Sequence, residues 1–324
     1  MRLLAAHPEL EVGAAQASSS AGERLAALYP GLGPQYGDLE LAPLDPAALG
    51  GSDVVFVAVP SGRSQELVAQ VLDHVAHVVD LGADFRLRDA TAYPRWYGFE
   101  HAAPALLAEA VYGLPELFRD ELAGARLVAA PGCYVTAASL ALAPLVAAGV
   151  LEPGPLVVDA ASGTSGAGRE ARADTHHGAV NESFSAYKLL DHRHTPEMEQ
   201  VIGTPVLFTP HLAPMTRGIL ATCYGRLDAS SPARSTAELI ELLRDSYTDE
   251  PFVHVVTDPP ATRHALGTNN CLVTARVDER TGYVVVLSAL DNLTKGGSGQ
   301  AIQAANLALG LPETAGLPRA ALVP

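Results

Sequence analysis

Short, wholly apolar runs alternate with stretches of helical period over the first 130 residues. Glu11–Ala17 reads as a strand and Gly22–Leu28 as a short helix. Asp53–Val59 is a β-branched run that stops at Pro60-Ser61-Gly62, and helical spacing resumes over Ser64–Leu72. His77–Asp80 and Arg126–Ala130 are two further apolar strand candidates. Strands that show no polar alternation are covered on both faces, so this half predicts an α/β fold: a doubly wound parallel sheet between helices.

The texture changes after about residue 150. Pro155–Ala160, Val206–Pro210, Ile219–Leu227, Phe252–Val256, Leu272–Val277 and Tyr283–Leu290 all read as strands. The last two flank Asp278-Glu279-Arg280-Thr281-Gly282, a turn-rich connection of the hairpin kind. Ser235, with Glu238 three residues on, makes a capping box before one strong helix, and a last helix spans Gly299–Leu309. Many strands and few helices predict an α+β domain with a largely antiparallel sheet.

At 324 residues, 48% hydrophobic and 18% charged, the chain can bury the cores of about two domains. A formal charge of −15 suits neither a phosphate backbone nor an anionic membrane, so neither nucleic acid nor membrane is expected as a partner. The longest apolar stretch, 134–151, carries Thr136, Ser139 and Pro144 among small residues and reads as a buried helix rather than a span. Cys133, Cys223 and Cys271 lie far apart with no C-x-x-C pair. That argues against a structural zinc site and against a disulfide framework, and it suits the reducing cytosol of a cytoplasmic protein; no metal is expected.

Cys133 stands where an apolar run ends, a Pro-Gly turn follows and a long helix begins. Unpaired N–H groups and the positive end of a helix stabilise a thiolate, the form that attacks a carbonyl carbon. The same thiol could equally pack a strand–helix corner as a small hydrophobe. Cys223 and Cys271 fall inside strand patterns. In Asp191-His192-Arg193-His194-Thr195-Pro196-Glu197, Thr195 reads as an N-cap with Pro196 behind it, which would fix His194 in place. A histidine there can give or take a proton near neutral pH, and Arg193 would favour an anion. A solvated cluster, or a loose metal site with His176 and His177, is the competing reading. Arg86 and Arg217 could each grip a phosphate bidentately, or serve only as ion-pair or loop residues.

Two loops could lie along a dinucleotide. Ser61-Gly62-Arg63-Ser64 opens a helix after a strand, where N–H groups can receive phosphate oxygens. The run from Ser162 and Gly163 through Gly166 to Gly168 lets backbone approach a ligand closely. Glu11–Ala17 ends in Ser18 and Ser19 with no carboxylate at its tip, which favours NADP over NAD.

These residues resemble a known family. P-G-C-Y-V-T at 131–136, S-G-T-S-G-A-G-R at 162–169, N-E-S-F-S-A-Y at 181–187, H-R-H-T-P-E at 192–197 and P-M-T-R-G-I-L-A-T at 214–222 occur in order. With L-G-A-D-F-R-L at 81–87 and D-N-L-T-K-G at 291–296, they are similar to the N-acetyl-γ-glutamyl-phosphate reductases of arginine biosynthesis, in the aspartate-semialdehyde dehydrogenase superfamily. The resemblance implies a Rossmann-like NADP domain over 1–132 and 295–324, and a catalytic and dimerisation domain over 133–294. It makes Cys133 the nucleophile and His194 the acid/base; Arg86, Arg193 and Arg217 stay as the residues' own candidates for binding the substrate. It places Ser162, Gly163 and Gly166 along NADP(H) and Asn292 near the nicotinamide. The implied reaction reduces an acyl phosphate, a small molecule, through a cysteine thioester, in a homodimer or homotetramer.

The family begins with a strand and a G-x-x-G-x-x-G turn before a segment like L-L-A-A-H-P-E-L-E-V. Met1 falls inside the helix after that turn, so on the order of 20 residues of family pattern are expected to be missing. Two alternatives stand beside this expectation. One is the related reductase of a carrier-bound aminoadipyl phosphate in lysine biosynthesis. An acidic carrier calls for positive charge, whereas this chain is acidic and holds Tyr134 and Arg169, which that family tends to lack. The other is a non-catalytic remnant that serves as an interaction subunit.

Overall fold

The computed structural model describes residues 1–168, 173 and 175–322. The chain divides into two compact units. The first comprises Met1–Arg88, His101–Ala130 and Ala301–Leu317, and the second Asp89–Glu100, Pro131–Gln300 and Pro318–Pro324.

In the first unit, strands β3 (Val54–Val57), β4 (His77–Asp80), β6 (Leu127–Ala129) and β5 (Val111–Tyr112) form a sheet in the order β3-β4-β6-β5. All three pairings are parallel. Val78 and Val79 point to opposite faces of the sheet, yet each is 1% exposed or less, so both faces are covered. On one face Ala301, Ala304, Ala305 and Ala308 of α11 (Gly299–Ala308) pack against Val79, Val128 and Ala130. Alanines at this spacing form one narrow stripe and let the helix approach closely. Helix α3 (Ser64–Leu72) buries Val68, Val71 and Leu72 and packs on β3 and β4. The unit also holds the short helices α1 (Leu25–Leu28), α2 (Gly33–Tyr36), α5 (Pro104–Glu109) and α6 (Pro115–Leu122).

The expected strand Glu11–Ala17 survives only as β1 (Gln16–Ala17). It pairs in parallel with β2 (Ala42–Pro43) in a separate two-stranded sheet. The stretch before it holds Gly13 and two alanines, with Val12 its only β-branched residue, so little packs there to hold an extended chain. The helix expected from Gly22 starts only at Leu25, because Gly22 sits at φ +84°, outside helical space.

The second unit is built on a seven-stranded sheet in the order β11-β12-β13-β10-β7-β9-β8. Its strands are β7 (Leu156–Gly163), β8 (Ser185–Ala186), β9 (Val206–Ala213), β10 (Ile219–Arg226), β11 (Val253–Val255), β12 (Cys271–Asp278) and β13 (Tyr283–Leu290). Pairs β11/β12 and β7/β9 are parallel and the other four antiparallel, so the sheet is mixed rather than purely antiparallel. The β12–β13 hairpin closes at Asp278 and Tyr283 as its turn residues require. Helix α7 (Cys133–Ala147) is buried on nearly every side and packs on β10, β12 and β13. Helices α4 (Tyr93–Tyr97), α8 (His177–Val180), α9 (Thr195–Ile202) and α10 (Thr236–Ser246) complete the unit. In α10, Ser235 Oγ accepts from the Glu238 N–H while Glu238 Oε2 accepts from the Ser235 N–H, the expected capping box. Along β7 and β10 buried and half-exposed residues alternate, so one face lies on helices and the other is partly open. Among the described residues no helix is long and apolar enough to cross a membrane.

Candidate active site

The nucleophile candidate sits at a corner of the second unit. Gly132, with φ −70° and ψ 144°, caps α7, and its carbonyl accepts from the Thr136 N–H at 3.0 Å. Cys133 is the first helical residue and is partly exposed, whereas Cys223 and Cys271 are buried in β10 and β12. Burial first, and then the nearby Asp159 charge, pushes the Cys223 thiol up. Of the three thiols, Cys133 is the part-exposed one and stands at a helix start, the setting in which N–H groups without helical partners favour a thiolate.

His194, rather than Thr195, is the N-cap of α9; Thr195 and Pro196 are its first two residues. Proline fits there because those N–H groups have no partner within the helix. The His194 carbonyl accepts from the Met198 N–H at 3.0 Å. The imidazole lies directly against Gly132: a Cβ built on that glycine would collide with all three distal ring atoms. Three residues on, Glu197 is completely buried, and its Oε1 accepts from the Gly132 N–H at 2.9 Å. The H-T-P-E segment thus touches the Gly132–Cys133 corner twice.

The three neighbours in H-R-H have different surroundings. Arg193 is exposed. His192 packs edge-on against Tyr134, Tyr187, His194 and Phe208, with ring centroids 4.7–5.7 Å away. Burial, and then the Arg193 and Lys188 charges, lower its pKa to about 3. Neutral His192 accepts from the His194 N–H on Nδ1 at 3.1 Å. The Tyr134 hydroxyl donates to the His211 carbonyl at 2.9 Å and accepts from Tyr187 at 3.3 Å. Burial first, and then Tyr187, push its ionisation far up.

The glycine loop after β7 meets the T-R-G turn before β10. The Gly163 N–H donates to the Gly218 carbonyl at 2.9 Å, and a Cβ on Gly163 would strike the Thr216 backbone. Asn292, 3% exposed, joins the two: Oδ1 accepts from the Gly218 N–H at 2.7 Å and Nδ2 donates to Ser165 Oγ at 2.9 Å. Ser162 Oγ lies where a side chain on Gly166 would be. Arg217 gives Nε and Nη2 to Asp291, leaving Nη1 uncommitted among the described residues. Burial opposes the ionised Asp291 carboxylate, but Arg217 and the Gly267 and Leu293 N–H groups outweigh it and hold its pKa down. From the same segment, Gly296 abuts Cys133 so closely that a Cβ there would meet the cysteine's own. Arg169 lies outside the described residues.

In the first unit, Arg86 is nearly buried and its Nη2 donates to the Leu81 carbonyl at 3.1 Å. The start of α3 already holds an anion of the chain's own. Asp84 accepts from the N–H groups of Gly62, Ser64 and Gln65 at 2.7, 3.0 and 3.2 Å. Those donors are therefore taken by a side chain of the chain itself rather than open to a phosphate, contrary to the expectation for the Ser61–Ser64 loop. Ser18 and Ser19 are exposed just past β1. Taken by itself, the glycine loop tied by Asn292 in the second unit offers the close backbone approach that a nicotinamide cofactor could use.

Glu197, Asp84 and Asp291 carry this geometry through contacts that no local sequence pattern marks. Their partners stand 65, 22 and 74 residues away, beyond any spacing rule.

Two family models match the chain: "Semialdehyde dehydrogenase, NAD binding domain" over residues 1–125 and "Semialdehyde dehydrogenase, dimerisation domain" over residues 133–292. A protein of Symbiobacterium thermophilum named N-acetyl-gamma-glutamyl-phosphate reductase is 52% identical, over 98% of this chain and 92% of its own. One of Desulforudis audaxviator with the same name is 49% identical, over 98% and 93%. Among solved structures, aspartate semialdehyde dehydrogenase II from Vibrio cholerae matches 84% of each chain at a TM-score of 0.63 and 16% identity. A probable aspartate-semialdehyde dehydrogenase from Pseudomonas aeruginosa covers 91% of this chain and 89% of its own, at 0.64 and 18%. At those identities the likeness is one of fold, a parallel Rossmann-like sheet with a mixed-sheet domain.

Proposed function

The chain belongs to the N-acetyl-γ-glutamyl-phosphate reductase family, and from that premise we propose that it reduces N-acetyl-γ-glutamyl phosphate to N-acetyl-L-glutamate 5-semialdehyde, with NADPH as reductant and release of phosphate. The observation that carries this reading is Cys133, part-exposed at the start of α7, on the corner against which the His194 ring lies.

The Cys133 thiolate attacks the γ-carbonyl carbon and forms a C–S bond. The tetrahedral adduct collapses, the bond to the phosphate oxygen breaks, and phosphate leaves with that electron pair, so that a thioester remains. The thioester carbon is then the electrophile to which a reduced nicotinamide, when bound, would supply hydride. His194 then holds a proton at the former carbonyl oxygen as charge develops and withdraws it as the C–S bond breaks. The aldehyde departs and Cys133 is again a thiolate. A thioester accepts hydride where a free carboxylate would not, which is the chemical reason for a covalent route.

Arg86, Arg193 and Arg217 are proposed for the anionic substrate; Arg217, already forked to Asp291, would offer Nη1 alone. Ser18, Ser19 and Ser61 in the first unit, and Ser162, Gly163, Gly166 and Asn292 in the second, are proposed for the cofactor. The carboxylate-free end of β1 supports NADP over NAD. The partly open face of the seven-stranded sheet supports a homodimer or homotetramer. Three free cysteines support a cytoplasmic setting.

The test runs the reaction in reverse. N-acetylglutamate semialdehyde should reduce NADP only when inorganic phosphate is present. Equal turnover without phosphate, or faster turnover with aspartate semialdehyde, would contradict the proposal.

A further inference from the structure

We infer that Glu197 is a positioning residue, which acts through the Gly132 N–H to hold the Cys133 corner against His194; the inference rests on the site reading just given. Glu197 lies in the first turn of α9, three residues after His194, and is 0% exposed. A buried carboxylate is costly unless its oxygens are satisfied, so its retention inside a core calls for a partner. Its Oε1 takes the backbone N–H of Gly132, 65 residues away in the chain, at 2.9 Å.

That N–H belongs to the residue that caps α7. The Gly132 carbonyl starts the helix through Thr136, and the next residue is Cys133. Rotation of Gly132 would swing the thiol and unseat the first helical hydrogen bond together. The space beside the Gly132 Cα is closed by the His194 ring. One rigid turn, His194 to Glu197, therefore sets both the acid/base and the peptide that carries the nucleophile. Misplacing a reacting group by about 1 Å can slow chemistry on the order of a hundredfold.

Two substitutions separate contact from charge. Glu197→Asp keeps the charge but withdraws the carboxylate by about 1.5 Å, one C–C bond, which breaks the contact. Glu197→Gln removes the charge but keeps an oxygen that accepts from the same N–H. Measured on the full chain, Glu197→Asp should lower kcat by about ten- to a hundredfold with KM little changed. It should also shift upward the pH midpoint for alkylation of Cys133 by iodoacetamide. Glu197→Gln should retain turnover within about threefold and keep the native midpoint.

A purely structural carboxylate would lower the melting temperature in Glu197→Asp without moving the alkylation midpoint, which would overturn the inference. A tenfold loss in Glu197→Gln would also overturn it, whether or not Glu197→Asp folds, because charge and not contact would then be what matters. Cys133→Ser and His194→Asn, assayed in parallel, keep the two levels apart. Native turnover in those variants would contradict the site reading itself. Their loss beside a native-like Glu197→Asp would sink only the role of Glu197.

Discussion

The imidazole of His194 fills the space that a side chain on Gly132 would need. The glycine before Cys133 is thus required by the neighbour it faces rather than by its own backbone, since φ −70° and ψ 144° suit any residue. Gly132→Ala should displace the ring and cost about 1–3 kcal/mol by overpacking. Turnover should fall further than the drop in melting temperature suggests. Native turnover in this variant would show that the ring is not held there for chemistry.

His194→Asn should leave the fold intact and remove the proton transfer. Such transfers contribute on the order of a hundred- to ten-thousandfold, so measurable turnover should remain. The limb of the pH–rate profile that belongs to this histidine should flatten. His192 offers the control, because burial holds it neutral down to about pH 3 and it accepts the His194 N–H. An unchanged profile in His194→Asn would take that residue out of the proton path.

The buried end of β4 predicts a pH-dependent stability. Asp80 is pushed up to about 6 from 3.8, first by burial and also by the Asp84 charge, against the pull of the Gly82 N–H, Ser64 and Arg86. The neutral acid is favoured in the folded state, so its contribution is complete below about pH 3.8 and is lost as pH rises through about 6. At 1.36 kcal/mol per unit, ionisation above that range costs on the order of 3 kcal/mol. Asp80→Asn should therefore gain in melting temperature relative to the native chain as pH goes from 5 to 8. A gap that stays constant across this range would contradict the account.

Much of this fold is legible in the residues, and its failures have physical causes. Ser64–Leu72, His77–Asp80 and Tyr283–Leu290 occupy the spans that their apolar patterns predict, because local pattern and tertiary burial agree there. The two-residue strands β2, β5 and β8 leave no periodicity to read. β7 runs on to Gly163, beyond the expected Ala160, because its glycine end pairs with Ala213, a contact from a distant strand. The same reason hides Asp84 at the start of α3. The loop there looks like a phosphate receiver until a carboxylate 22 residues later is seen to occupy it. The turn-then-helix setting of Cys133 and the helix start beside His194 are legible in the residues, whereas the packing of His192 among Tyr134, Tyr187 and Phe208 joins residues too distant in sequence for any local pattern to show.

In the proposed reading, cofactor choice turns on the residues after β1. Ser18→Asp would set a carboxylate where a ribose 2′-hydroxyl could bond and a 2′-phosphate would be repelled. The ratio of kcat/KM for NADPH over NADH should fall by at least tenfold. A ratio that does not move would show that the serines after β1 do not read the ribose.

The central claim is that Cys133 carries the acyl group, and mass spectrometry of the quenched enzyme tests it most directly. The native chain is mixed with N-acetyl-γ-glutamyl phosphate in the absence of nicotinamide, stopped in acid and digested. The account predicts a burst of one phosphate per site and an N-acetylglutamyl adduct on the peptide that contains Cys133, with neither in Cys133→Ala. An adduct on Cys223 or Cys271, or an undiminished burst in Cys133→Ala, would contradict it.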